Sequence, residues 1–325
     1  MEDFFETVAG HRGGYILRPD LLDLGVDDRQ IRDAIRQKLI VRLRPGTYAP
    51  RGHRDLKPED QHRLLAFAVQ DKLPSGIVLS HQTAAVIHTG VSHGLDLGTV
   101  HVTRRGGMTA RNEAKVVHHG GVLPDEDIVE VDGHLMVVPA RAALETAAVA
   151  GTEAGLVQTS FVLRNGVSAD ELHERLGRMG RWPGATKVRL SVLWASPECE
   201  SVGEARSLYM FRMGGLPVPR FQVEYFDADG CSLGRVDFAW EDYWHLGEFD
   251  GLSKYGRLNP YSGADLGQVV VDEKRREDGL RRLGLGMSRW VWADLHSPVA
   301  TCRRIRAAME QSRRLYGNVP RTVLV

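Results

Sequence analysis

Cysteine is scarce: the 325 residues hold three, Cys199, Cys231 and Cys302. An odd number at wide spacing builds no disulfide framework and reads as reduced thiols of a cytoplasmic protein. No CxxC or HxxxH pair occurs, which argues against a structural zinc site. No apolar run approaches the roughly 18 residues that a membrane helix needs. The opening Met-Glu-Asp-Phe-Phe-Glu has neither a basic n-region nor an apolar h-region, so no secretory leader is expected. Net charge is lacking too, with 42 Lys and Arg against 42 Asp and Glu. That balance excludes a uniformly basic nucleic-acid coat and an acidic solvating tail. What remains is an ordinary globular mixture, 42% hydrophobic and 26% charged. The chain is long enough for two domains or three small ones.

The balance hides local imbalance. Glu2 to about Gly10 spaces Phe4, Phe5 and Val8 as one side of a helix, which Gly13-Gly14 ends. A second helix is predicted from Arg18 to Leu24, stopped by Gly25. Asp27-Asp28 caps a third, Arg29 to Ile40, with Ile31, Ala34, Ile35 and Leu39 on its apolar side. Val41-Arg42-Leu43-Arg44, the Pro45-Gly46 turn and Thr47-Tyr48-Ala49 read as a hairpin. Three helices and a basic hairpin give the order of a winged helix-turn-helix over residues 1–54. Residues 29–54 hold eight basic residues (Arg29, Arg32, Arg36, Lys38, Arg42, Arg44, Arg51, Arg54) and the single acid Asp33, a local surplus of seven positive charges. In a DNA-binding reading the third helix enters the major groove. Arg29, Gln30 and Arg32 are expected at base edges, Arg36 and Lys38 bind DNA from the same helix, and the hairpin arginines Arg42 and Arg44 grip phosphate or the minor groove. A solvated basic face, or a winged helix used for protein contacts, is the plainer alternative.

Residues 55–197 read as a small mixed α/β unit. Helices are expected over 58–69, 84–87, 141–150, 154–165, 169–177 and 187–195, and strands over 99–103, 115–117 and 135–138. His81, His88, His93, His118 and His119 are scattered through it, as surface or packing residues usually are.

From residue 198 the order becomes helix, three-stranded meander, helix, strand, helix. Ser201 to Met213 is the first helix, and Phe221–Phe226, Gly234–Trp240 and His245–Asp250 are the strands. With Glu241–Trp244 as a four-residue loop, Trp240 faces His245 and Asp237 lies opposite Glu248, their Cβ atoms about 4.5–5.5 Å apart. Alternation puts Asp250 on the same face. Three carboxylates so close repel unless something neutralises them, and Mg²⁺ or Mn²⁺ is the expected partner, able to activate water for phosphodiester attack. On this reading Asp237, Glu248 and Asp250 hold the metal.

Glu204, Arg235-Val236-Asp237-Phe238 and Gly247-Glu248-Phe249-Asp250-Gly251, with Lys254-Tyr255, resemble the PD-(D/E)XK nuclease fold, in the subset related to very-short-patch-repair endonucleases. The resemblance covers roughly residues 198–316 and implies a restriction-endonuclease-like α/β domain. It implies catalytic roles for Asp237, Glu248 and Glu204. The family's lysine two residues after the second acid is replaced by Asp250, and Lys254 is the substitute cation; Lys274, Arg275 and Arg276 on the next helix are candidate phosphate contacts. Residues 4–50, with Gly13-Gly14-Tyr15 and Arg44-Pro45-Gly46-Thr47-Tyr48, resemble the winged helix of AbiE-type abortive-infection antitoxins. That resemblance implies a transcriptional autorepressor with a toxin partner. The α+β chain thus carries two readings: a DNA-directed, metal-dependent endonuclease, or an antitoxin-like repressor whose carboxyl domain (198–325) does not cut. Both make DNA the partner, neither needs a membrane, and both are compatible with a homodimer.

Overall fold

The computed structural model describes residues 2–105, 111–113, 115–180, 182–251 and 266–317. Local signals set the amino-terminal elements. Helix α1 (Glu2–Gly10) turns Phe5, Val8 and Ala9 inward. Strand β1 (Ile16–Leu17) leads into α2 (Arg18–Asp23), which carries Pro19 in its first turn, where an N–H would have no helical partner. Gly25, at φ +80°, ends it: its N–H donates to Leu22 O, and that of Val26 to Leu21 O. A left-handed residue after a helix is one that glycine supplies without a Cβ clash.

Helix α3 (Asp28–Arg36) starts in a reciprocal cap. Gln30 N–H donates to Asp27 Oδ1 and Asp27 N–H donates to Gln30 Oε1, each at 2.8 Å. The helix stops at Arg36, four residues before the expected Ile40, and Lys38 turns the chain at φ +59°. Strands β2 (Ile40–Arg44) and β3 (Thr47–Pro50) make the basic hairpin, and β1 completes a sheet of order β1-β3-β2. Phe5, Ile16, Leu21, Ile31, Ala34, Ile40 and Tyr48 form the core beneath.

The same compact unit, Met1–Val192, continues with α4 (Pro58–Lys72), β4 (Ile77–Leu79), α5 (His81–Thr89), β5 (Val100–Arg104), β6 (Arg111–Glu113) and β7 (Val116–His119). Then come β8 (Ile128–Val131), β9 (His134–Val137), α6 (Pro139–Ala150), α7 (Thr152–Arg164), α8 (Ala169–Met179) and α9 (Ala185–Trp194). Six strands form one mixed sheet of order β6-β7-β5-β4-β9-β8. Tyr15 and Leu17 share a core with Phe67, Val78, Val102 and Met136, so β1 packs on both parts of this unit.

The second unit, Leu193–Val325, holds α10 (Val202–Met213), β10 (Arg220–Phe226), β11 (Ser232–Trp240), β12 (His245–Phe249), α11 (Leu266–Arg282), β13 (Gly286–Trp290), α12 (Trp292–Leu295) and α13 (Pro298–Tyr316). Its sheet runs β10-β11-β12-β13, antiparallel except for the parallel β12–β13 pair. Trp240 pairs with His245 and Phe238 with Gly247, the expected register. Phe211, Phe238 and Trp290 pack edge-to-face or tilted at 5.1–5.4 Å between ring centres. Gly203 in the first turn of α10 lies against the Phe249 ring, where a Cβ would approach Cε1 to 2.0 Å. That close approach brings α10 onto β12 and Glu204 onto the strand face. Among the described residues no helix is long and apolar enough to cross a membrane.

Candidate functional site

Two charged surfaces were anticipated, and they differ in what their charges meet. On α3, Ile31 and Ala34 point into the core, which leaves Arg29, Arg32 and Arg36 exposed at three- and four-residue spacing. Residues so spaced share one helix face. Arg36, its side chain 76% exposed, reaches Asp33 at 2.8 Å; such a pair is worth about 0–1 kcal/mol and yields readily to a stronger anion. Arg29, Arg32, Lys38 and Arg42 are exposed and form no ion pair among the described residues.

Two of the anticipated DNA contacts are placed differently. Gln30 is tied into the α3 cap, so its amide oxygen is already engaged with Asp27; the helix start needed an acceptor there. Arg44 is half-buried in the hairpin, with Nη1 buried and near Lys72, so it faces inward more than Arg42 does. Arg18 closes the base of this region, gripping Asp28 through Nε at 2.8 Å and Nη2 at 2.6 Å. That contact holds the Asp28 carboxyl below the usual carboxylate range and orients α2 against α3.

In the second unit the carboxylates are brought to the sheet as expected but are already occupied. Glu248, on β12, takes Arg276 Nη2 at 2.6 Å on Oε1 and Arg289 Nε at 2.9 Å on Oε2. Asp237, on β11, accepts the N–H of Phe249 at 2.9 Å and so substitutes for a backbone carbonyl where the ladder ends. Glu204 sits at the third position of α10, where Ser201 Oγ donates to Oε1 and Glu200 N–H and Gln222 Nε2 donate to Oε2, each at 2.8 Å. Ser201 in turn accepts from Glu204 N–H, so this acid is a helix cap held at 7% exposure. Asp250 is half-buried, its N–H donating to Trp290 O. Lys254 lies outside the described residues.

The charge of Glu248 is met by guanidinium groups from α11 and β13. Both oxygens of Glu248 are used, and Arg276 serves it in place of a phosphate. Among the described residues no group of three or more His, Cys, Asp or Glu is arranged to hold a metal ion. Gln222, at φ +52° on β10, joins Glu204 through its amide; an amide carries no sequence signal of such a role.

The histidines are less scattered than their spacing suggested. His81 and His119 stack at 3.4 Å, and His101 Nδ1 lies 2.8 Å from His119 Nε2. The parallel pairing of β5 with β7, which places Thr103 beside His119, gathers them.

Comparison with known proteins bears on the first surface. Residues 6–51 match the family described as "Transcriptional regulator, AbiEi antitoxin". That span runs from within α1 through β3, with every exposed basic residue of α3. No curated protein matches the chain. Among solved structures, the crystal structure of the RV2827C protein from Mycobacterium tuberculosis is similar over 67% of this chain and 83% of its own, at 16% identity and a TM-score of 0.37.

Proposed function

We propose that the protein is a DNA-binding transcriptional regulator of the AbiEi antitoxin type, with α3 as its recognition helix. The observation that carries this is the row Arg29, Arg32, Arg36, exposed on α3 and continued by Lys38 and Arg42. A helix with basic residues free on its outer face and apolar ones beneath is suited to the major groove. Arg29 and Arg32 are the base-reading candidates; Arg36, Lys38 and Arg42 neutralise phosphate. Gln30 acts by holding the helix start. The match of residues 6–51 to the regulator family supports the same reading. The same reading includes a partner toxin.

The test is a mobility shift on duplex DNA from upstream of the protein's own gene. Wild type should bind, and Arg32→Ala with Arg36→Ala should weaken binding about tenfold or more, as loss of two phosphate or base contacts does. Equal binding by that double variant would remove α3 from the interface.

A second reading, a DNA endonuclease, is favoured by one observation: Asp237 and Glu248 lie on the paired strands β11 and β12, and Glu204 of α10 bonds Gln222 of β10, in a helix–meander–helix–strand unit. It requires Glu248 to part from Arg276 and Arg289. Its test is nicking of supercoiled plasmid with Mg²⁺ or Mn²⁺ present. Activity absent from the Asp237→Ala, Glu248→Ala variant would support it, and equal nicking by wild type and variant would end it.

A further inference from the structure

The last helix of the second unit, α13, carries a charge pattern that neither reading uses. Its inner side is buried, through Thr301, Cys302, Ile305, Met309 and Ser312. Its outer side is basic. Arg303, Arg304, Arg306, Arg313 and Arg314 are all exposed, and Glu310 is the one acid of the helix. Steps of three and four residues link Arg303, Arg306, Glu310 and Arg314 along one side. Arg303 and Arg314 stand roughly 16 Å apart along the helix axis.

Neighbouring acids do not cancel this charge. Arg304 is neutralised by Asp294 of α12, to which it donates at 3.0 Å. Arg306 donates Nη2 to the carbonyls of Gly214 and Gly215, at 3.0 and 2.7 Å, so it meets dipoles and no acid. The Arg313 guanidinium lies 5.7 Å from the Tyr243 ring centre and is set against Asp242, the preceding residue. Arg303 and Arg314 form no hydrogen bond or ion pair among the described residues. The other acids on elements packed against α13 are engaged: Glu204 caps α10, Glu241 holds Arg220, and Glu248 holds Arg276 and Arg289. Arg303, Arg306 and Arg314 therefore stand against Glu310 alone, a surplus of two positive charges.

We propose that this side of α13 binds duplex DNA through its backbone phosphates, without reading sequence. A guanidinium presents a two-pronged donor that matches phosphate oxygens. The Arg303–Arg314 spacing exceeds the roughly 12 Å width of the major groove, which lets the two reach phosphates on its opposite edges. A bilayer surface would instead need apolar residues to insert, and those of α13 lie in the core apart from the isolated Val299 and Leu315. The inference rests on the reading that DNA is the partner, and adds a contact from the second unit that carries no sequence preference.

Fluorescence anisotropy of the full chain tests it, with labelled duplexes of the gene's upstream sequence and of unrelated sequence over a range of salt. Arg303→Gln with Arg314→Gln should weaken binding to both duplexes about tenfold and make the slope of log affinity against log salt shallower by roughly 2. The preference between the two duplexes should stay as in wild type, because phosphate contacts carry no sequence information. Glu310→Gln should tighten both about threefold, the size of one exposed charge pair, and a gain of this kind cannot come from misfolding. The α3 variant, Arg32→Ala with Arg36→Ala, should instead lose the preference for the upstream duplex. The proposal is overturned by a double-glutamine variant with the wild-type slope and affinity, by Glu310→Gln binding no more tightly than wild type, or by tighter binding of wild type to an RNA duplex of the same length. An α3 variant that keeps the preference removes α3 alone and leaves α13 in place, whereas a wild-type chain that binds neither duplex ends both.

Discussion

The outer face of α3 and the β11–β12 strand pair are both charge clusters, one basic and one acidic, and they meet opposite fates. On α3 the arginines reach solvent with weak partners or none among the described residues. On the strands each anticipated catalytic acid is satisfied from within: Glu248 by two guanidinium groups, Asp237 by a backbone N–H, Glu204 by three donors. The lesson concerns what a charge cluster means. One satisfied internally contributes to stability and specificity of the fold; one left open is available to a partner. An acidic cluster and a basic cluster look equally functional on a linear chain, and only the partners distinguish them.

Mutations should separate the two kinds of cluster by which property they damage. The largest loss of stability is expected where a charge is buried and shared. Arg141→Ala leaves Asp127 and Glu145, 4% and 1% exposed, without their common cation, and should cost about 4 kcal/mol in urea unfolding. Glu248→Ala removes the carboxylate that Arg276 and Arg289 share in a partly exposed site and should cost about 2–3 kcal/mol, with DNA binding unaffected. If Glu248→Ala is neutral for stability, the carboxylate is not internally committed and the contrast fails.

Acid sharpens the comparison further. Burial holds His245, donor or acceptor to Ser288 and Ser312, at about 4, and His101 and His119 at about 4 and 3. Their unfolded value is about 6.5, so the unfolded chain takes up protons first. Stability that is full above pH 6.5 is therefore lost as pH falls towards 4, by roughly 2 kcal/mol for a fully buried imidazole. Thermal melts from pH 7 to 4 should show this decline, reduced for the second unit by His245→Asn. A melting temperature flat across that window would contradict the neutral imidazoles. The smallest effect belongs to the α3 cap. Asp27→Ala removes the acceptor for Gln30 N–H and should cost about 1 kcal/mol; Gln30→Ala should cost less and leave sequence preference unchanged, because its oxygen serves the cap.

Much of this was legible in the linear chain, for definite reasons. Asp27 as a cap, Gly25 as a stop and the Trp240–His245 register depend on residues within a few positions of one another, where spacing carries the information. Strand β4, three residues between Gly76 and Ser80, is too short to show alternation, yet it joins β5 to β9 near the middle of the six-stranded sheet. The arginines that neutralise Glu248 come from 28 and 41 residues away, across a helix and a parallel strand, and no local pattern announces such a pairing. The histidine cluster has the same origin: His81, His101 and His119 meet through strand order. Lys38 was read onto α3 because apolar spacing continues to Leu39, whereas the backbone leaves the helix at Gln37.

The central claim is that α3 carries free positive charge for DNA, and the salt dependence of binding measures that charge directly. Fluorescence anisotropy with a labelled duplex, over a range of salt concentrations, gives the slope of log affinity against log salt. Each phosphate contact contributes about −0.9 to it. Removing Arg32 and Arg36 together should make the slope shallower by roughly 2 and weaken binding, with stability changed by less than about 0.5 kcal/mol for each exposed residue. A variant with the wild-type slope and affinity would contradict the account.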